Sequence, residues 1–161
     1  MPDQNDAPET SIRSAREITR LVAPCGLFCG GCLAFEGGPI RSHARALAGL
    51  LGPNFGVYAE RLSEMNPVLG HYPAFADMLE FLARGSCRGC REGGCLLGNC
   101  GARACALERG IDFCGLCPDF PCENPGLPEG LLERWRRNGE ILRAKGPAAY
   151  LDLVRGKPRY P

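Results

Sequence analysis

The sequence predicts a small, mainly α-helical single domain that carries an irregular, metal-stapled, cysteine-rich segment. Three observations predict it. Apolar residues recur at helical spacing on both sides of that segment. Eleven cysteines fall into three groups, Cys25-x3-Cys29-x2-Cys32, Cys87-x2-Cys90-x4-Cys95-x4-Cys100-x4-Cys105 and Cys114-x2-Cys117-x4-Cys122, and each group holds a C-x2-C pair able to aim two thiolates at one metal ion. The stretch 86–125 is rich in Gly and Cys and poor in large aliphatics, so it buries little apolar surface alone and needs metal to be ordered.

A chain of 161 residues suits one domain, and its 45% hydrophobic and 23% charged content is ordinary for a globular protein. The cysteines are therefore not size-compensating staples. Residues 1–19 read as a flexible, polar leader with no signal-peptide pattern, and 20–161 as the domain. Within the domain, 33–85 reads as the helical core, 86–125 as the cysteine-rich segment and 127–156 as C-terminal helices. Order is expected to begin at Ile18 to Ala23.

Helices are expected where the apolar spacing is i, i+3, i+4, i+7. Ala44, Leu47, Ala48 and Leu51 form one such run, ended by Gly52-Pro53. Phe55, Tyr58, Leu62 and Met65 form the next, stopped at Asn66-Pro67. Phe75, Met78, Leu79 and Leu82 form a third, between Pro73 and Gly85. These three helices are expected to supply most of the apolar core. A short helix is expected over 101–109, with Ala102, Cys105 and Ala106 on one face and Gly110 as its cap. Leu131, Trp135, Asn138 and Leu142 predict a longer helix, and Pro147 opens a last one through Leu151 and Val154.

No membrane span is predicted, because no apolar run approaches about 20 residues. The cytoplasm is the expected location, and thiols there stay reduced, so paired cysteines read as metal ligands rather than disulfides. The count of eleven is odd and would leave a disulfide framework one thiol over. The net charge of +1 gives no basis for steering the whole protein to nucleic acid. The eight Lys and Arg residues against four acids over 126–161 read as a solvated helix face and basic tail.

Ligand spacing divides the later eight cysteines into two four-thiolate zinc sites. Cys87, Cys90, Cys95 and Cys100 form the first. Cys105 is five positions beyond Cys100 and turned by roughly 140° on a helix, so it joins Cys114, Cys117 and Cys122 in the second. Closed four-thiolate sites leave no open position, which favours a structural role. Cys25, Cys29 and Cys32 remain. Three readings are open for them: a third metal with one open position, a 4Fe-4S cluster with an open iron, or a share in the metals of the later groups. The spacing C-x3-C-x2-C also occurs in radical S-adenosylmethionine enzymes. Those carry an aromatic residue before the third cysteine, where this chain has Gly31, and they need βα units that are not evident here. His43 and His71 are the only histidines and read as exposed surface and turn residues. P-loop, GxGxxG, HExxH and nucleophile-elbow motifs are absent.

Ala23-Pro24-Cys25-Gly26-Leu27-Phe28-Cys29-x2-Cys32, then Cys87-Arg88-Gly89-Cys90, Cys105-Ala106, Cys114-x2-Cys117 and Asp119-Phe120-Pro121-Cys122, together resemble a widespread prokaryotic family of uncharacterised cysteine-rich proteins presumed to bind zinc. The resemblance runs from Ala23 to Cys122 and departs from the family in the four residues between Cys95 and Cys100, where the family often has C-x2-C. It implies a thiolate-bound metal and no established activity. The functional expectation is a cytosolic protein with two zinc ions, mainly structural, acting as an interaction module. An iron–sulfur electron carrier or a small metalloenzyme centred on Cys25, Cys29 and Cys32 is the alternative. No membrane or nucleic-acid partner is expected.

Overall fold

The computed structural model describes residues 14–160. Among the described residues it is mainly helical, with seven α-helices and no sheet; isolated bridges join Val22 to Phe28, Phe35 to Cys87 and Gly89 to Gly93. No helix there is long and apolar enough to cross a membrane.

Helix α1 (Ala15–Leu21) starts inside the span read as a leader, because the Ser14 hydroxyl caps it by accepting from the Glu17 N–H at 3.2 Å. The rest of that leader, 1–13, lies outside the described residues. After the first cysteine group come α2 (Pro39–Leu51), α3 (Phe55–Leu62) and α4 (Tyr72–Ala83). They occupy the three periodic runs, although α3 ends at Leu62 and a 3-10 turn at Pro67–His71 leads into α4. α2 packs along α4, and α3 closes against both α4 and that turn. The short helix α5 (Gly101–Glu108) is also where the spacing put it. Gly110 follows it at φ +63°, and the Ile111 N–H returns to the Ala106 carbonyl at 3.0 Å. Helix α6 (Glu129–Lys145) and α7 (Pro147–Arg155) complete the chain and pack on each other, with α7 also against α1 through the Arg155–Glu17 ion pair at 2.9 Å.

The core is not where the amphipathic runs place it. Helices α2, α3 and α4 bury only Ala44, Ala59 and Leu79, and they leave Leu50, Val57, Tyr58, Met78 and Phe81 exposed, as are Met65 and Val68 between α3 and α4. Three short helices closed on one another have little interior to offer, so their larger apolar side chains face out. The buried mass lies in two adjoining clusters. One combines Ala23, Cys25, Leu27, Cys90, Ala102, Cys117 and Phe120 with Trp135. The other combines Ile18, Val22 and Phe113 with Leu142, Tyr150 and Leu151. The cysteine-rich segment therefore does bury apolar surface, by supplying sulfurs and small residues to a core completed by α1, α6 and α7. Cysteine packs as a small hydrophobe.

Candidate metal centres

The first cysteine group sits on a loop held at both ends. Ala23 N–H donates to the Leu27 carbonyl at 2.9 Å and Gly26 N–H to the Ala23 carbonyl at 2.8 Å, closing a tight reversal around Cys25. Gly26 has φ +79°, and a Cβ there would lie 2.6 Å from the Asn138 Cβ, so only glycine lets the loop reach α6. Its carbonyl accepts from the Tyr150 hydroxyl at 2.6 Å and from the Asn138 amide at 3.1 Å, which ties the loop to α7 and α6. Cys29, Gly30 and Gly31 form a 3-10 turn, closed by the Cys32 N–H on the Cys29 carbonyl at 2.9 Å.

The chain then brings the second group to the first. Cys87 N–H donates to the Ala34 carbonyl at 2.8 Å and Glu36 N–H to the Cys87 carbonyl at 2.9 Å. This pairing joins segments fifty residues apart. It puts Cys25, Cys29 and Cys32 in the wall of the same cavity, about 60 Å³, as Cys87, Cys90, Cys95 and Cys100. The remaining wall is mostly apolar, from Leu27, Leu96 and Leu97. Arg103 hooks this wall to α5 by donating to the Cys90 carbonyl at 2.6 Å.

Electrostatic neighbours link the seven into one network. Cys87 feels Cys95 and Cys32, Cys25 feels Cys100, Cys29 and Cys114, and Cys90 feels Cys29, Cys25, Cys95 and Cys100. Cys29 feels Cys87 and Cys32, and it is felt by Cys90 and Cys25.

The other four gather around a second turn, with Cys114 near enough to act on Cys25. Cys114, Gly115 and Leu116 form a second 3-10 turn, closed by Cys117 N–H on the Cys114 carbonyl at 3.0 Å, and Cys114 N–H anchors it to the Pro24 carbonyl at 2.8 Å. The turn lies flat on α6, where a Cβ on Gly115 would come within 2.4 Å of the Gly139 carbonyl oxygen and one on Gly139 within 2.3 Å of the Phe120 ring. Arg143, one helical turn further, donates to the carbonyls of Gly115 at 2.8 Å, Cys117 at 2.8 Å and Phe120 at 3.3 Å. Cys114 feels Cys122, Cys105 and Cys117. Cys105 is on α5 as expected, but it is exposed, while Ala102 and Ala106 are buried; the three do not share a buried face.

The donor set suits a cation. Burial pushes the Cys25 and Cys90 thiols up to about 12 and Cys29 to about 11, with neighbouring cysteines adding to the rise. Burial likewise raises Cys87 and Cys114. Such a crowd ionises only with positive charge among it. Yet hydrogen-bond donors already point at the sulfurs. The N–H groups of Leu27, Cys90 and Gly89 face Cys25, Cys29 and Cys87 respectively. Arg109 donates to the Cys117 sulfur at 3.5 Å and the Tyr160 hydroxyl to Cys32 at 3.6 Å. The Trp135 indole N–H is buried without a partner of normal hydrogen-bond geometry, and it faces the Cys114 sulfur closely enough to favour the thiolate. Outer donors of this kind orient and stabilise metal thiolates. All eleven cysteines are unbridged. Among the described residues no three potential ligands are drawn together into a finished metal cage, so the sulfurs are gathered rather than closed. His43 and His71 are exposed on the α2–α4 side and line neither group.

The sequence model of a family of proteins of unknown function, DUF3795, matches residues 21–126. The chain belongs to that family. No curated protein and no solved structure matches the chain. The matched span contains all eleven cysteines and stops short of α6 and α7. Trp135, Gly139 and Arg143, which support the Cys114–Cys122 group, thus come from outside it. Sequence reasoning reached Trp135 only as one member of a helical run and Arg143 only as one of the basic residues over 126–161. The signal available was their common face on α6, eight residues apart.

Proposed function

We propose that this member of DUF3795 is a thiolate metal-binding protein with two centres. Cys105, Cys114, Cys117 and Cys122 hold one ion, and Cys25, Cys29, Cys32, Cys87, Cys90, Cys95 and Cys100 hold two. The observation that carries this reading is the lining of one cavity by seven cysteines from separate segments. Two tetrahedral ions need eight ligand positions, so seven cysteines suffice when one sulfur is shared. Cys29 is taken as the shared sulfur because it is linked to Cys25, Cys32, Cys87 and Cys90 alike. Cys32, Cys87 and Cys95 complete one ion, and Cys25, Cys90 and Cys100 the other. Zinc is the metal: an all-thiolate set selects it, and it keeps four-coordinate geometry without redox chemistry. Ions closed by four sulfurs present no site to a substrate. They hold the fold, and the protein works as a module in a reducing compartment, the cytoplasm.

The test is metal content after anaerobic purification, followed by replacement with cadmium-113. Three zinc ions per chain are expected, and three cadmium resonances, two of them split by coupling through a common sulfur. Binding of two ions without coupling rejects the shared thiolate but keeps the metal protein. Iron with acid-labile sulfide, or no metal at all, overturns the zinc reading.

A further inference from the structure

A second cavity, of about 370 Å³, lies on the far side of the Gly26–Phe28 loop, between α6, α7 and the stretch that follows α7. This is the size of a small-ligand site. Its wall carries four cationic side chains, Arg134, Arg137, Lys157 and Arg159, and no carboxylate among the described residues. Among the described residues none of the four makes an ion pair there; the ion pairs between described residues involve others. Arg134, Arg137 and Arg159 each favour ionisation of the Tyr150 hydroxyl, although burial and Cys25 outweigh them and push it up to about 12. The Arg159 Nε is buried without a hydrogen-bond partner. The lining also carries apolar side chains, Phe28, Ile141, Leu153 and Val154.

Four like charges facing one space repel each other, and no carboxylate among the described residues lines that space to neutralise them. An anion entering the pocket relieves that repulsion and meets guanidinium forks suited to oxyanions. The apolar part of the lining gains only if the anion carries a hydrophobic body. We propose that this pocket binds an organic phosphate monoester, its dianion held by Arg134, Arg137, Lys157 and Arg159 and its body against Phe28 and Leu153. Leu27 and Arg159 border this pocket and the seven-cysteine cavity alike, so an occupant sits one side chain away from the sulfurs. The proposal does not depend on which metal they hold.

The test is titration calorimetry on the full chain as purified, at low salt, with phenyl phosphate, inorganic phosphate and benzoate as probes. Phenyl phosphate is expected to bind once per chain, at least about tenfold tighter than either of the others, because each lacks one of the two recognised parts. The double variant Arg134→Ala/Arg137→Ala is expected to weaken it at least about tenfold, with helicity and metal content unchanged. Arg84→Ala, at the residue that follows α4 and is paired with Glu80, serves as a control expected to leave binding as it is. Absence of saturable binding, equal affinity for the three probes, or an unaltered affinity in the double variant overturns the proposal. If the double variant loses helicity, Arg137→Glu alone, at an exposed position, replaces it, and undiminished binding there is equally fatal.

Discussion

The unit formed by α2, α3 and α4 and the body formed by the cysteines with α1, α6 and α7 invert the usual relation between composition and burial. The first has the regular amphipathic pattern and long apolar side chains, yet Leu50 is 85% exposed and Met65 76%. The second is built on Gly, Cys and Pro, yet it buries Trp135, Tyr150, Leu142 and Leu151 almost completely. An amphipathic stripe states that a helix has an apolar side. It does not state that anything large enough lies opposite to cover it. In the body, small residues let backbones approach until two indispensable large side chains, Trp135 and Phe120, fill the remaining space edge to face at 4.9 Å.

The comparison predicts unequal sensitivity to mutation. Trp135→Ala should cost about 3–5 kcal/mol, through the cavity it leaves and the Phe120 contact it removes; it should also loosen the metal at Cys114. Denaturant unfolding followed by metal release into a chelator reads both. A loss below about 1 kcal/mol would place the core elsewhere. Arg143→Ala comes next, at about 1–3 kcal/mol, because three carbonyls of the Cys114–Phe120 turn lose their donor together. Arg143→Lys should recover only part of this, since one ammonium cannot reproduce the fork. Equal behaviour of the two variants would reduce Arg143 to a charge over the Phe120 ring, where its guanidinium lies 5.2 Å from the centroid. Leu50→Gln should change stability by no more than about 0.5 kcal/mol. A large loss there would mean that the α2–α4 unit is covered in solution, and sedimentation would then show a larger particle.

The two cysteine groups differ in how far they could be read in advance. Cys105, Cys114, Cys117 and Cys122 are close in sequence, and α5 is short enough that the distance between Cys105 and Cys114 follows from helix geometry and one turn. The trio Cys25, Cys29 and Cys32 leaves its fourth ligand undefined at the level of spacing. Its place beside Cys87, Cys90, Cys95 and Cys100 depends on the bond between Cys87 and Ala34 and on the loop at Gly26 being tied to Asn138 and Tyr150. The basic pocket was still less legible. Arg134 and Arg137 are on α6, and Lys157 and Arg159 follow α7, so in the sequence they read as an exposed face and a tail.

By itself the sequence determined the helices from α2 onward and which residues can offer thiolates, while missing α1 and carrying α3 past its end at Leu62, because periodicity, proline, glycine and cysteine spacing all act over a few residues. Only the tertiary structure decided which helices form the core, which sulfurs meet, and which cations converge. Those outcomes depend on contacts between segments tens of residues apart, whose closure entropy is offset only when the whole body packs.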